Sequence, residues 1–407
     1  MMLAKADGNG RPGRALFVQA TEPAAYPPLI RGSSLLAEAG WKVTFLSAPV
    51  IGMPLMLDSH PRIAAHAIPA RPSHVMGKAA YARYIASAAA LAMRVRPHVV
   101  YASDPLGAAP GLLAAQLSGA HLVYHEHDSP APDALRPWLA RLRATAVRTA
   151  RFVIFPNEER ARIADAELGL LPDRLHIVWN VPRRVEIPPL APIPESPLIV
   201  HYHGSITPDR LPEVAIAAVR HFAGRVRLRL VGYEAPGAPG YISRLKALGR
   251  MPSGEPLVEY IGQLPLGDLL QQAARAHVGL ALMPRTTDNL NMRNMVGASN
   301  KSFDYMAAGL ALLVSDLVDW RQTFVAPGFA RVCDPTDEHS LIAELRWFLD
   351  HPAERRTMAA RGRSKVAEDW NYDTAFAPIM AELSATENGL RAPPSLAETI
   401  TCRKEFA

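Results

Sequence analysis

A lysine and an aspartate stand three residues apart in the stretch NKSFDYMAAG, residues 300–309. Residues i and i+3 share one face of a helix, so Lys301 and Asp304 would lie side by side. The lysine can neutralise a phosphate, and the aspartate can accept hydrogen bonds from vicinal hydroxyls such as those of a ribose. Turn and cap residues from Gly297 to Asn300 precede this helix, and the free N–H groups at a helix start can bind an anion. The stretch predicts a nucleotide site, or else a surface ion pair worth less than about 1 kcal/mol.

Polar side chains also follow two apolar runs in the first half of the chain. The segment HLVYHEHDSP places Glu126, His127 and Asp128 after one predicted strand, and HVVYASD places Asp104 after another. Ligands meet the carboxyl ends of strands in α/β sheets, although the proline after Asp104 makes a turn cap an equal explanation. His125 and His127 have no third ligand at a suitable spacing, so we expect no metal site.

Short apolar runs that alternate with longer helical patterns must position these residues. The runs are RALFVQA, KVTFLSA, HVVYASD, HLVYHEH, RFVIFPN and LHIVWNV, and later LIVHYHG, VRLRLVG, LVEYIGQ, VGLALMP, LALLVSD and FARVCD. This rhythm predicts an α/β fold with parallel, doubly wound sheets that carry helices on both faces. The proline-rich stretch 186–197 divides the runs into two similar halves, over 14–185 and 198–370, which we expect to face each other across a cleft. We predict a polar, mobile tail over 386–407.

The composition is typical of a soluble globular protein with two domains. The chain has 407 residues, of which 49% are hydrophobic and 20% charged. Its net charge of +6 favours an anionic partner such as a nucleotide, a phospholipid or a nucleic acid. Cys333 and Cys402 are far apart without metal-ligand spacing, which indicates a reducing compartment. Without an evident signal peptide or an apolar run of about 18 residues, we expect a cytoplasmic protein.

Five segments, taken in their order, resemble those of retaining glycosyltransferases of the family-four type, the glycosyl transferases group 1. NKSFDYMAAGLALLVSD resembles the nucleotide-sugar motif, HGSITPDR the glycine loop that opens the donor domain, and HLVYHEHDSP a strand-to-loop segment of the acceptor domain. RLHIVWNVP resembles the asparagine-proline segment that closes the acceptor domain, and EDWNYDTAFAPIM the helix that crosses back to it, over 371–385. The resemblance implies the GT-B fold, in which two Rossmann-like domains face each other across a cleft.

The resemblance implies a donor site in the second domain. It places the glycine loop, whose backbone approaches the diphosphate, at Gly204 and Ser205, and a basic residue at Arg210. The family usually has an arginine in place of Ser205 and an acidic residue in place of Val296, and these departures leave the donor sugar open. The acidic residue that holds the ribose falls on Asp304. The implied donor-binding residues are Gly204, Ser205, Arg210, Asn300, Lys301 and Asp304.

The resemblance also implies an acceptor site in the first domain. His127 takes the position of a histidine that lines the reaction centre, with Glu126 and Asp128 beside it as acceptor contacts. The segment YPPLIRGSS predicts a loop between the first strand and the first helix, in which Arg31 and Gly32 are candidate acceptor contacts. The alternative for this segment is a turn with a solvated arginine.

The implied catalysis is mainly the handling of charge. Arg210 and Lys301 would stabilise the leaving diphosphate and His127 would line the reaction centre, so these three are the predicted catalytic residues. A phosphate oxygen can take the proton of the acceptor, so neither a protein base nor a metal or other cofactor is expected. The prediction is a hexosyltransferase that moves a sugar from a nucleotide-diphosphate sugar to a hydroxyl of a lipid-linked or saccharide acceptor, in bacterial polysaccharide or glycolipid assembly. The alternatives are a nucleotide-sugar epimerase of GT-B architecture and a non-catalytic scaffold that binds nucleotide sugars, whereas no recognisable module suggests nucleic-acid binding.

One predicted helix is strongly basic. The segment LRPWLARLRATAVRTAR, residues 135–151, contains five arginines and no acidic residue. Trp138 and Leu142 share one face, which suits either an interfacial helix on anionic lipid or a helix that covers a sheet. We expect a possible peripheral attachment to the inner face of the plasma membrane.

Overall fold

The computed structural model describes residues 12–388, apart from 50–56, 58, 70–75, 132–133, 191 and 236. The chain forms two compact units. Among the described residues, the first unit comprises 12–179 and 375–388, and the second comprises 180–374. Each unit has its own hydrophobic core.

In the described part of the first unit, seven parallel strands form one sheet. The strands are β1 (Arg14–Gln19), β2 (Lys42–Ser47), β3 (Ile63–Ala67), β4 (Val99–Ser103), β5 (His121–His125), β6 (Phe152–Phe155) and β7 (Leu175–Ile177). They lie in the order β3-β2-β1-β4-β5-β6-β7, so the chain runs outward from β1 in both directions, which is the doubly wound arrangement. The apolar runs of the sequence correspond to six of these strands.

The sequence patterns gave no sign of β3. This edge strand reads IAAHA, and four of its five residues are exposed. A strand that needs no apolar side chains for burial carries neither the apolar run nor the alternation by which strands are recognised.

Helices connect the strands of the first unit. They are α1 (Pro27–Glu38), α2 (Lys78–Val95), α3 (Asp104–Ser118), α4 (Pro137–Thr149) and α5 (Glu158–Leu168), with 3-10 turns at Pro23–Ala25 and Pro172–Arg174. Two glycines let α3 pack directly on the sheet: a Cβ on Gly111 would lie 2.5 Å from the Cβ of Ala102, and one on Gly107 would lie 3.1 Å from the carbonyl oxygen of Val18. This close packing fixes the start of α3 at the carboxyl end of β4.

The second unit has a parallel sheet of six strands in the order β10-β9-β8-β11-β12-β13. They are β8 (Leu198–Ile206), β9 (Val226–Glu234), β10 (Val258–Gly262), β11 (Val278–Ala281), β12 (Ala311–Ser315) and β13 (Ala330–Cys333). The helices are α6 (Glu213–Arg220), α7 (Tyr241–Leu248), α8 (Leu266–Ala273), α9 (Leu290–Arg293), α10 (Lys301–Ala307), α11 (Val318–Trp320), α12 (Glu338–Asp350), α13 (Pro352–Glu368) and α14 (Tyr372–Ala375), with a 3-10 turn at Arg184–Glu186 and a π-helical turn at Arg321–Val325. Two Rossmann-like sheets of parallel strands confirm the predicted fold class.

The proline-rich stretch 186–197 packs within the second unit rather than between the two units. Arg363 donates a hydrogen bond to the carbonyl oxygen of Pro188 at 2.7 Å, and Glu195 pairs with Arg355 and Arg356. The chain passes from one unit to the other at residues 179–180, six residues before the predicted domain end at 185.

The chain returns to the first unit at residue 375. Its last described helix, α15 (Ala377–Asn388), buries Ile379 and Leu383 there, and Glu382 pairs with His176 at 2.9 Å. The helix therefore extends beyond residue 386, where we had predicted the tail to begin. The rest of that tail, 389–407, lies outside the described residues, as does Cys402, whereas Cys333 is buried.

Candidate functional site

Two facing glycines bring the ends of β8 and β9 together. Gly204 and Gly232 are register partners, with φ angles of +101° and +140°. A Cβ on Gly232 would lie 2.0 Å from the carbonyl oxygen of Gly204, a contact that no side chain can make. The glycine loop implied by the resemblance therefore begins where two strands approach each other too closely for a side chain on Gly232. Ser205, the next residue, is half-buried, and its carbonyl accepts a hydrogen bond from the Tyr202 hydroxyl at 2.7 Å.

The Lys301 side chain lies against this loop. A Cβ on Gly204 would be 3.2 Å from both Cε and Nζ of Lys301, and Nζ lies 5.7 Å from the centre of the Tyr202 ring. Lys301 is only 7% exposed. Gly204 and Lys301, which are nearly a hundred positions apart in the sequence, thus lie together at the end of β8.

This ammonium group is held in an unfavourable environment. The pKa of Lys301 falls from its usual 10.5 to about 7, first because of burial and then because of the positive charge of Arg210, while Asp304 acts in the opposite direction. Arg210 lies in the half-buried turn between β8 and α6. Two cations beside the half-buried backbone of Gly204 favour an anionic ligand, because the negative charge of the ligand would offset both the desolvation of Lys301 and its repulsion by Arg210.

Asp304 is fully buried. Its Oδ2 accepts a hydrogen bond from the Asn300 side chain and lies 3.4 Å from Nε2 of His203. Asn300 has helical backbone angles and makes no side-chain cap, so the predicted capping role for this residue is wrong. The ribose contact of Asp304 stays a prediction.

The whole of α10 is buried on the sheet. A Cβ on Gly279 of β11 would lie 2.4 Å from the ring of Tyr305, so the helix packs against bare backbone, and the Tyr305 hydroxyl accepts the N–H of His203 at 3.0 Å. The alternative of a surface ion pair at Lys301 and Asp304 is therefore wrong. His203 itself is buried, and its ring centre lies 4.7 Å from that of Tyr305.

His127 of the first unit is fixed at both ends of its backbone. Its N–H donates to Oδ1 of Asp104 at 2.8 Å, and its carbonyl accepts from Nη1 of Arg160 at 2.6 Å. The ring centre lies 3.9 Å from that of His125 and 5.1 Å from that of Tyr26. Burial, and then the charge of Arg160, lower the pKa of His127 to about 3, so the imidazole is neutral. His125 is a core residue whose Nδ1 is hydrogen-bonded to the Tyr101 hydroxyl at 2.6 Å.

Glu126 has a structural environment rather than the predicted acceptor environment. It is fully buried, and Arg143 of α4 donates to both of its carboxylate oxygens at 2.7 Å. The Tyr124 hydroxyl donates to Oε2 at 2.9 Å. Because side chains of the core hold both oxygens, this placement argues against an acceptor contact. Asp128 is exposed and lies 3.5 Å from the Arg160 guanidinium, so its carboxylate remains accessible.

Arg31 and Gly32 do not lie in a loop. The helix α1 begins at Pro27, and both residues are buried within it. The two prolines at the start of α1 were interpreted as a turn, whereas proline is favoured in the first turn of a helix because its missing N–H would be unpaired there in any case. The predicted solvated arginine is therefore wrong, and an acceptor contact by Arg31 remains untested.

Two family models match the chain over most of its length. The model described as glycosyl transferase 4-like domain matches residues 33–180, and the one described as glycosyl transferase-like matches residues 200–381. The chain belongs to the group 1 glycosyltransferases. A comparison with curated protein sequences gave no significant match.

Solved structures show the same GT-B fold. Sucrose-phosphate synthase from Thermosynechococcus elongatus is similar with a TM-score of 0.70 and 17% identity, over 92% of this chain and 98% of that one. The Anabaena protein HepE in complex with UDP and glucose has a TM-score of 0.67 and 14% identity, over 92% and 100%. A putative UDP-N-acetylglucosamine 2-epimerase from Listeria monocytogenes has a TM-score of 0.62 and 15% identity, over 94% and 98%. The fold is therefore compatible with more than one reaction.

The basic helix of this glycosyltransferase differs from the predicted one. In α4, Arg143 is buried on Glu126 and does not belong to the exposed basic surface, whereas Arg141 and Arg148 are exposed. Trp138 is 45% exposed, and its ring lies 5.7 Å from that of Tyr81. Within the described residues, no helix has the length and apolarity needed to cross a membrane, and no group of three or more His, Cys, Asp or Glu residues is placed to hold a metal ion.

Asp104 is a site residue that the interpretation of the sequence did not select. This residue follows β4 directly and binds the backbone of the His127 loop. The signal was present, because an aspartate after a buried strand lies at the edge where ligands bind to α/β sheets. The following proline made a turn cap an equal explanation. Only the contacts of Asp104 with residues 127 and 128 distinguish a turn cap from a residue at the ligand-binding edge.

Replacing Gly232 by alanine should disrupt the glycine loop. The new Cβ would overlap the carbonyl of Gly204, in addition to the strain of a positive φ. The matched control is Gly262→Ala at the end of β10, where φ is +98° but no heavy atom lies within 4 Å of the new Cβ. We expect the control to cost about 1–3 kcal/mol and Gly232→Ala to cost more and to weaken nucleotide-sugar binding, as measured by urea unfolding and calorimetry. Equal effects of the two substitutions on stability and on binding would contradict this role for Gly232.

Proposed function

We propose that this glycosyltransferase moves a hexose from a nucleotide-diphosphate sugar to an acceptor hydroxyl with retention of configuration. The observation that carries the proposal is the buried Lys301 ammonium, which is held against Gly204 beside Arg210. The charge of Asp304 only partly offsets the burial of this cation and its repulsion by Arg210. A diphosphate accepted by the Gly204 backbone and both cations supplies the remaining negative charge.

Each residue has a role in this mechanism. Arg210 and Lys301 stabilise the negative charge that develops on the leaving diphosphate as the bond to the sugar breaks. Asp304 contacts the ribose hydroxyls, with Asn300 beside it. His127 is neutral and lines the acceptor side of the reaction centre, and an oxygen of the leaving phosphate takes the proton of the acceptor hydroxyl. The negatively charged leaving group is thus neutralised by side chains and by a proton.

The donor nucleotide can be identified by binding. HepE was solved with UDP and glucose, so UDP is the first probe for this chain. A thermal-shift screen of UDP, GDP, ADP and TDP should show one preferred nucleotide, which at a hundred times its dissociation constant adds about 2.7 kcal/mol of stability. The matching nucleotide sugars then separate the reactions: a transferase releases the nucleoside diphosphate and glycosylates the acceptor, whereas an epimerase changes the sugar. If none of the four stabilises the protein, the proposed donor site is wrong.

Transfer should continue in the absence of divalent metal. Arg210 and Lys301 already place two cations where a metal ion would otherwise neutralise the diphosphate. The assay is sugar transfer in excess EDTA, with the native protein and added magnesium as the reference. Loss of turnover in chelator together with its recovery on adding magnesium would show that the two side chains are not sufficient.

We further propose that the enzyme acts in bacterial polysaccharide or glycolipid assembly on the inner face of the plasma membrane, with α4 against anionic lipid. The test is co-sedimentation with vesicles of phosphatidylglycerol and phosphatidylcholine at physiological ionic strength. Reversing two exposed arginines, Arg141→Glu/Arg148→Glu, should abolish binding, because each basic residue contributes roughly 1 kcal/mol near such a surface. The control with the same change of net charge is Arg220→Glu/Arg225→Glu, on the surface of the second unit.

The control pair distinguishes lipid binding by the exposed arginines of α4 from a general attraction of a basic protein to anionic vesicles. Binding that falls equally in both double variants would mean that net charge alone draws the protein to the vesicles. Failure of the native protein to sediment with anionic vesicles would contradict the membrane role of α4.

A further inference from the structure

Asp104 has a left-handed backbone conformation at the junction of β4 and α3. Its φ angle is +59°, which is uncommon for a residue with a side chain. The junction is rigid, because Gly107 and Gly111 place the first turns of α3 directly on the sheet. The aspartate side chain is thereby held in one place, at the edge where α/β sheets bind their ligands.

The two oxygens of the Asp104 carboxyl have different environments. Oδ1 accepts the N–H of His127 at 2.8 Å and that of Asp128 at 3.3 Å. Among the described residues, Oδ2 has no hydrogen-bond partner, and it is not sealed in the interior. One oxygen thus holds the loop while the other remains available.

The side chain held by this contact is His127. It is 4% exposed, and neither of its ring nitrogens has a hydrogen-bond partner within the part of the chain that the structure describes. Buried polar atoms are nearly always hydrogen-bonded, so an imidazole with two unpaired nitrogens indicates a ligand that is polar on this side. The open oxygen of Asp104 and the unpaired imidazole belong to one loop junction, because a single hydrogen bond joins the two residues.

Asp104 is also able to change its charge near neutral pH. Burial, and then the negative charge of Asp128, raise its pKa to about 8, while the two N–H donors act in the opposite direction. Three other ionisable groups interact with Asp104. They are Tyr124 on β5, Glu126 directly after β5, and Arg160 on α5. Most of these neighbours are acidic or neutral, which disfavours an anionic ligand and suits a neutral, hydroxylated one.

We propose that Asp104 is a hydroxyl-binding residue of the acceptor site, which holds His127 through Oδ1 and binds a saccharide hydroxyl through Oδ2. The proposal rests on the proposed function for the kind of acceptor, but it is independent of the donor site. Asp173 supplies the comparison, since it is an exposed aspartate of the first unit that lies outside this loop, in the 3-10 turn Pro172–Arg174.

The test uses two substitutions of Asp104. In Asp104→Asn the amide oxygen can still accept the N–H groups of His127 and Asp128, but the second oxygen is replaced by an amino group. In Asp104→Ala both contacts are lost. Binding of the methyl glycosides of glucose, galactose, mannose and N-acetylglucosamine is followed by saturation-transfer NMR at pH 9, where the Asp104 carboxyl with its pKa of about 8 is ionised, and UDP binding by calorimetry.

We expect at least one glycoside to bind the native protein and Asp104→Asn to weaken that binding at least tenfold, with UDP affinity within twofold. Asp173→Asn should leave glycoside binding within threefold. Glycoside binding that is unchanged in Asp104→Asn, or is absent from the native protein, would overturn the proposal. Loss of UDP binding by the native protein would instead count against the proposed donor function.

A second measurement follows the hydrogen bond itself. In protein labelled with [15N]histidine, the amide signal of His127, assigned with His127→Gln, should titrate with a midpoint near pH 8 because the pKa of Asp104 is raised. The titration should vanish in Asp104→Asn, while the signal keeps nearly its native position and moves further in Asp104→Ala. A titration that persists in Asp104→Asn would assign it to another group and would contradict the pairing.

Discussion

Replacing Lys301 by methionine should weaken UDP binding about 100-fold and should stabilise the fold at the same time. The ammonium group lies against Gly204 beside Arg210, so its loss removes a charged contact to the diphosphate, and a factor of 100 corresponds to about 2.7 kcal/mol. The stabilisation follows from burial, because methionine has a similar length without a charge to desolvate. A residue kept for binding at the cost of stability is expected at a functional site.

The stabilisation by Lys301→Met should depend on pH, and the pKa shift of Lys301 determines the direction of this dependence. The pKa of Lys301 is about 7 in the folded chain and near 10.5 when unfolded. Between these values the unfolded state binds more protons, so the stability of the native protein rises with pH across this window. The advantage of Lys301→Met should therefore be largest at pH 7 and below, and should fade as pH approaches 10.5. Thermal unfolding between pH 6 and 10 measures it, and we expect a rise in Tm of at least about 3 °C at pH 7.

The control for Lys301→Met is Lys246→Met, which removes an exposed lysine on α7 of the same unit. It should change neither UDP affinity nor Tm by a measurable amount. A lysine whose pKa rises when a diphosphate binds also takes up a proton at pH 8, so the binding enthalpy of UDP should differ between Tris and HEPES buffers in proportion to their ionisation enthalpies. Equal enthalpies in both buffers, or unchanged affinity of Lys301→Met, would show that this ammonium does not contact the diphosphate.

The sequence predicted the fold because burial on both faces of a parallel sheet leaves continuous apolar runs. Twelve such runs correspond to twelve strands, and the strand that was missed, β3, is an exposed edge of small residues. The donor residues were found for a related reason. Gly204 belongs to a motif at a strand end and Lys301 to a motif at a helix start. Their places in the fold therefore follow once the strands have been assigned.

The roles of charged residues in the first unit could not be predicted in this way. Glu126 and Arg143 are seventeen positions apart on different elements, and nothing local distinguishes Arg143 from the exposed Arg141 two residues earlier. For Arg31 a solvated side chain was likewise left open as the alternative to an acceptor contact, although the residue is buried in α1. Which arginine of a basic helix turns inward depends on where a buried carboxylate lies, and that is a property of the packed structure alone.

The ion pair between Glu126 and Arg143 should be among the most sensitive points of the first unit. Arg143→Met leaves a carboxylate at 0% exposure with only the Tyr124 hydroxyl as a remaining donor among the contacts described above. Removing one partner of a buried pair costs about 3–5 kcal/mol, because the other charge stays buried and uncompensated. The exposed partner of Arg143, Glu167, contributes little to this cost because solvent screens it.

The size of the effect can be measured unit by unit with hydrogen exchange and mass spectrometry. We expect Arg143→Met to increase exchange in peptides that cover β5 and α4, and to lower the free energy of unfolding of the first unit by about 3–5 kcal/mol. Arg141→Met, on the exposed side of the same helix, should stay within about 0.5 kcal/mol of the native protein. UDP affinity should be unchanged in both, since Lys301 and Gly204 belong to the second unit.

The double variant Glu126→Gln/Arg143→Met should recover part of the loss, because a neutral amide is less costly to bury than an unpaired carboxylate. If Arg143→Met and Arg141→Met are equally mild, or if the double variant is less stable than Arg143→Met alone, the pair does not support the loop that carries His127, and a direct acceptor role for Glu126 becomes the better explanation of its position.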